Sequence, residues 1–82
     1  MDIVFSKAAV KALSGMDRPT KQRIKTGISG LPDGDVKPLK GSTGLYRLRI
    51  GGYRIVFSYP DSKTILVERI APRGGVYKGG AF

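Results

Sequence analysis

The sequence predicts an α+β domain in which a mainly antiparallel sheet is packed against an N-terminal helical hairpin, in the order β-α-α-β-β-β. Three observations lead there. A short β-branched run opens the chain, two capped stripes of helical period follow, and from Leu45 onward apolar residues alternate at period two around Gly51-Gly52. With 82 residues and no internal repeat, the whole of 1–82 is expected to be one domain, near the size where a single core is only marginally sufficient.

Asp2 to Phe5 (DIVF) reads as a first strand. Ser6 can cap a helix running to about Met16, whose core stripe is Ala9, Leu13 and Met16, joined by Ala12, with Lys7 and Lys11 on a solvated face. Gly15 closes it. Asp17 and Pro19 supply the cap and early proline of a second helix, from about Arg18 to Gly30, with Ile24, Ile28 and Leu31 as its narrow stripe. Gly27 lies where that helix can approach a neighbour closely, and the short connection makes the two helices antiparallel. Lys21, Arg23 and Lys25 read as solvent-facing.

From Pro32 to Gly44 (PDGDVKPLKGSTG) the composition is that of a loop. Lys40 to Gly44 fails as a phosphate-binding P-loop, which needs a second glycine at fixed spacing ahead of a Lys-Ser/Thr pair that opens a helix, whereas a strand follows here.

Leu45 to Tyr59 (LYRLRIGGYRIVFSY) is a hairpin whose register can be counted from a type I′ turn at Gly51-Gly52. Ile50 then pairs with Tyr53, Arg49 with Arg54, Leu48 with Ile55, Arg47 with Val56 and Tyr46 with Phe57. Paired residues share a face, so Tyr46, Leu48, Ile50, Tyr53, Ile55 and Phe57 form one apolar surface for the helices to cover. Arg47, Arg49 and Arg54, with Val56 among them, are left on the open face. Pro60-Asp61-Ser62 turns the chain into a last strand, Thr64 to Ala71, whose mixed alternation leaves open whether Glu68 or Arg69 faces the core. If that strand is antiparallel to its neighbour, Arg73 and Tyr77 are brought towards Arg54. Gly79 to Phe82 reads as a frayed tail.

Composition narrows the chemistry. There is no cysteine and no histidine, which excludes disulfides and thiolate metal sites and removes the usual general base near neutral pH. No metal or cofactor is expected. Fifteen Lys and Arg against six acids give a formal charge of +9, suited to nucleic acid, an acidic membrane or an acidic protein, with nucleic acid the first choice. No apolar run approaches the roughly 18 residues of a membrane span, and no signal-like segment opens the chain, so a soluble, cytoplasmic protein with no membrane partner is expected.

Like charges directly opposed on a sheet are unfavourable, so the Arg49–Arg54 pair points to an anion on that face; an ordinary solvated face with splayed, screened side chains is the competing reading. Guanidinium groups grip phosphate in bidentate fashion, and a tyrosine offers a base something to stack on. The same parts suit metal-free RNA cleavage, in which a 2′-hydroxyl attacks the adjacent phosphorus in line and arginine stabilises the pentacoordinate charge.

KPLKG at Lys37 to Gly41, LYRLRIGGYRIVF at Leu45 to Phe57 and RIAPRGGVYK at Arg69 to Lys78, with the element order and length, resemble the RelE/ParE superfamily of toxins from type II toxin–antitoxin pairs, and within it the RelE-like messenger-RNA interferases. That resemblance implies a ribosome-dependent endoribonuclease that cuts messenger RNA in the decoding site, leaving a 2′,3′-cyclic phosphate and a 5′-hydroxyl. On the family pattern, Arg54 would stabilise charge on the phosphate, Arg73 would assist the leaving 5′-oxygen and Tyr77 would stack on a nucleotide. Arg47 and Arg49 fall where such toxins carry two lysines, one credited with activating the 2′-hydroxyl. Arginine holds its proton far above neutral pH, so here they serve better as electrostatic clamps than as bases. The C-terminal helix of some relatives is not expected here, since the sequence ends soon after that last segment.

The resemblance implies as partners the ribosome, messenger RNA and a cognate acidic, RelB-like antitoxin that covers or distorts the basic site in a hetero-oligomer, the toxin alone being monomeric. Two other readings stand beside the RNA-cleaving toxin: a ParE-like toxin that binds DNA gyrase, and a non-catalytic RNA-binding module of the same fold.

Overall fold

A computed structural model describes residues 2–41 and 43–72. The elements run β1 (Asp2–Phe5), α1 (Lys7–Ser14), α2 (Arg18–Ser29), β2 (Val36–Pro38), β3 (Leu45–Ile50), β4 (Tyr53–Asp61) and β5 (Thr64–Pro72). They build one five-stranded sheet in the order β1-β5-β4-β3-β2, antiparallel except where β1 lies parallel to β5. The α+β architecture read from the sequence is present, with one strand more.

α1 starts where a capping residue satisfies a donor that the first turn leaves open. The Ser6 hydroxyl accepts from the Ala9 N–H at 3.1 Å and donates to the Glu68 carbonyl at 2.7 Å, so the residue that opens α1 also ties it to β5. Asp17 precedes α2, with proline in its first turn, and the helix ends where the Gly30 N–H donates to the Gly27 carbonyl and the Leu31 N–H to that of Ile28. α1 stops at Ser14, two residues short of the expected Met16, because the Gly15 N–H closes back onto the Ala12 carbonyl and the Met16 N–H onto that of Leu13.

Both helices bury their apolar stripes on one face of the sheet. Ala9, Leu13, Ile24, Ile28 and Leu31 meet Leu48, Ile55, Phe57, Ile65, Val67 and Ile70 in a single core, with Ile50, Tyr46 and Tyr53 half-buried at its margin. Burial of this continuous apolar surface is the main favourable term in a domain of this size. The expected close approach at Gly27 is made to Ile50: a Cβ placed there would meet Cδ1 and Cγ1 of that side chain.

The hairpin register is the one counted from the sequence, from Tyr46 opposite Phe57 to Ile50 opposite Tyr53. Its turn differs. The left-handed φ falls on Gly51 (+55°) and not on Gly52, the pattern of a type II′ turn instead of I′, and either one holds two strands in the same pairing.

Three further departures have identifiable causes. The stretch read as a loop contains β2, where Val36, Lys37 and Pro38 pair with Leu48, Arg47 and Tyr46; three residues with a proline make an edge strand too short for periodicity to reveal. β4 continues through Pro60 to Asp61, so the turn to β5 is Ser62-Lys63. Finally, β5 carries a bulge: Val56 pairs with Arg69 but Phe57 with Val67, leaving Glu68 as the extra residue. Core positions in β5 are therefore Ile65, Val67 and then Ile70, which is why neither Glu68 nor Arg69 fitted a strict alternation.

Candidate nucleic-acid interface

Because side chains alternate along a strand, the residues between the core positions of β3 and β4 point away from the helices. Arg47 and Arg49 flank the buried Leu48, while Arg54 and Val56 flank the buried Ile55. The sheet thus brings Arg47, Arg49 and Arg54 onto one face, Arg49 directly opposite Arg54 and Arg47 opposite Val56. Arg69 extends the second row from the other side of Val56, a fourth arginine that the bulge hid from a period-two reading.

The face is not the uncovered plane expected from the sequence. Arg49 and Arg69 are exposed, but Arg47 and Arg54 are only 9% and 8% accessible, and Val56 between their rows is 1% accessible. Arg54 stands on the central strand, with Arg49 and Ala71 as its register neighbours. Arg47 is held by the segment leading into β2. Its Nη1 donates to the Asp35 carbonyl at 3.2 Å and lies 3.6 Å from Asp35 Oδ1. The same carbonyl accepts from the Arg49 N–H at 3.2 Å. Asp35 therefore touches two of the candidate residues and was missed, because a segment read as loop carries no register; had β2 been recognised, Asp35 and Lys37 would have stood opposite Arg49 and Arg47.

A second carboxylate borders this face. The Ser58 hydroxyl donates to Glu68 Oε2 at 2.8 Å, placing the bulged residue's acid beside the row of Val56 and Arg69. The positions of Arg73 and Tyr77 lie outside the described residues. Among the described residues no group of three His, Cys, Asp or Glu side chains could hold a metal ion, and no helix is long and apolar enough to cross a membrane.

What the arrangement offers chemically is concentrated positive charge on a rigid sheet, with two guanidinium groups presented outward and two set into the surface. Fixed guanidinium donors of this kind match the oxygens of a phosphodiester, and rigid placement lowers the entropy lost on gripping it.

The comparisons with known proteins agree with the fold. Toxin RelE3 of Methanocaldococcus jannaschii is 31% identical over 85 residues, spanning 94% of this chain and 96% of its own. Among solved structures, the toxin in the RelB-RelE antitoxin-toxin complex from Methanococcus jannaschii superposes with a TM-score of 0.75 at 29% identity, covering 92% of this chain and 95% of that one. The archaeal RelE-RelB complex from Pyrococcus horikoshii OT3 gives a TM-score of 0.70 at 28% identity, with 89% and 94% covered. The model of the family described as the ParE toxin of the type II toxin-antitoxin system, parDE, matches residues 3–77. With that match across nearly the whole sequence, and the RelE fold behind its arginine face, the chain belongs to the RelE/ParE superfamily of type II toxin–antitoxin toxins.

Proposed function

We propose that this toxin is a ribosome-dependent endoribonuclease that acts in the cytoplasm, cleaving messenger RNA by in-line attack of a 2′-hydroxyl and so blocking translation. The observation that carries this reading is the convergence of Arg47, Arg49 and Arg54 on one sheet face, with Arg69 beside them. The exposed Arg49 and Arg69 draw the RNA backbone in. Arg54, set into the sheet, stabilises the charge that builds on the phosphoryl oxygens in the pentacoordinate state. Arg73 and Tyr77 act with it on the leaving oxygen and the stacked nucleotide. Neither Arg47 nor Arg49 serves as the base, since an arginine does not give up its proton near neutral pH; alignment and charge stabilisation do most of the work.

The partner that restrains the toxin is an acidic, RelB-like antitoxin. The similar RelE structures were solved in complex with RelB, and a net charge of +9 favours an acidic segment. On the helical side, an apolar groove lined by Phe5, Val10 and Leu13 and bordered by Lys21 and Lys25 suits the amphipathic part of such a segment.

Gyrase binding is the second reading, favoured by the ParE description of the matching family and by the low accessibility of Arg47 and Arg54. Induction of the protein without its antitoxin separates the two. Growth arrest with messenger cut within codons supports RNA cleavage, and Arg54→Lys and Arg73→Ala should each relieve that arrest. Arrest with DNA breaks and intact messenger moves the assignment to gyrase.

A further inference from the structure

We infer that Asp35 is a positioning residue for the arginine face, holding the Arg47 guanidinium by one terminal nitrogen so that its other edge is preset to take a phosphate. The inference rests on the RNA-cleavage reading.

An arginine has five N–H donors in a planar fork, and a flexible stem that must be immobilised before the fork can act with defined geometry. Arg47 is the β3 arginine in which that immobilisation is visible. Nη1 is engaged twice by one residue, through the backbone carbonyl at 3.2 Å and the carboxylate at 3.6 Å. The Nε and Nη2 donors make no hydrogen bond among the described residues, so those residues do not take up the edge suited to a bidentate phosphate contact.

Asp35 is itself well anchored. Its carbonyl also receives the Arg49 N–H, and β2 follows at once, its Val36 N–H donating to the Gly34 carbonyl at 2.9 Å. Val36 stands opposite Leu48, so Asp35 extends the ladder to the place opposite Arg49. Its carboxylate therefore ends the row that contains Arg49 and Arg54, diagonal to Arg47, within reach of long side chains across a sheet. An acid there offsets the repulsion within the arginine cluster. The Asp35 side chain is 51% accessible, whereas that of Arg47 is 11%. Thus the acid can be altered without opening the core.

The test is single-turnover cleavage of ribosome-bound messenger by the full chain, comparing wild type with D35N, D35E and R47K. Positioning predicts that D35N lowers the rate constant about tenfold to a hundredfold, the range expected when a reacting geometry is misplaced by an ångström or less, while the half-saturating concentration changes little. D35E should recover most of the rate, because it restores the carboxylate. R47K should lose as much as D35N, since an ammonium has no planar fork whose second edge is fixed when the first is held. Adding D35N to R47K should cost nothing further.

Wild-type rates in D35N, equal losses in D35E and D35N, or multiplicative losses in the double variant would each overturn the inference while leaving the cleavage reading intact. Should wild type itself leave messenger uncut, it is that reading that fails. Asp35 is then judged by the NMR signal of the Arg47 Nε–H: slow solvent exchange in wild type with fast exchange in D35N sustains its hold on the side chain, and unchanged exchange refutes it.

Discussion

Substituting Gly27 by alanine tests how tightly α2 is seated on the strand that carries two of the arginines. An alanine in a helix interior is favoured over glycine by about 1 kcal/mol. Here, however, the new Cβ would meet Cδ1 of Ile50 and lie 2.9 Å from its Cγ1, closer than nonbonded carbons approach. The far end of Ile50 can turn aside, but Cγ1 is fixed by a stiff, β-branched χ1. Relief requires a rotamer change or a shift of α2 from β3, and such overpacking costs about 1–3 kcal/mol. The net expectation is a loss of about 1 kcal/mol, lowering the thermal midpoint by about 4–8 °C in a domain of this size. Urea unfolding of Gly27→Ala measures it, with Gly15→Ala as control, where the nearest atom to an added Cβ is 3.8 Å away. If Ile50 is the obstacle, the same change in an Ile50→Ala background should become stabilising. A Gly27→Ala protein more stable than wild type, or an equal loss in both backgrounds, would refute the packing argument.

Three further outcomes are expected. Leu48→Asp should yield an unfolded protein by circular dichroism, because Leu48 is 2% accessible and an unpaired charge there costs more than about 4 kcal/mol, comparable with the stability of a small domain. Ser6→Ala should cost about 1–2 kcal/mol in urea midpoint analysis, since it removes both the α1 cap and the bond to Glu68, and Ser6→Thr should recover most of it. The Lys63 N–H donating to Asp61 Oδ1 at 2.8 Å holds that carboxyl below its ordinary value. A depressed folded-state value contributes stability above the unfolded pKa that is lost as pH falls through the folded one, so the deficit of Asp61→Asn should be full at neutral pH and shrink as the medium is made more acidic than the ordinary carboxylate range.

The arginine face was legible because its geometry is local. A two-residue turn and strict alternation place Arg49 against Arg54 and Leu48 against Ile55 without reference to anything outside the hairpin. The helices were legible for the same reason, through Ser6, Gly15 and Gly30 at their ends. Glu68 shows where that logic stops: one extra residue shifts β5 between its faces, and a bulge is set by two strands pairing, not by the letters of either one.

What the sequence determined alone was thus the set of short-range patterns: two caps, two helical stripes, one hairpin register and an excess of positive charge. Tertiary structure decided the parallel seat of β1 beside β5, the existence of β2, and the hold of Asp35 on Arg47, contacts between segments that no tight turn of known register joins. Such contacts form only when burial of the common core brings those segments together, and their partners cannot be read from local periodicity.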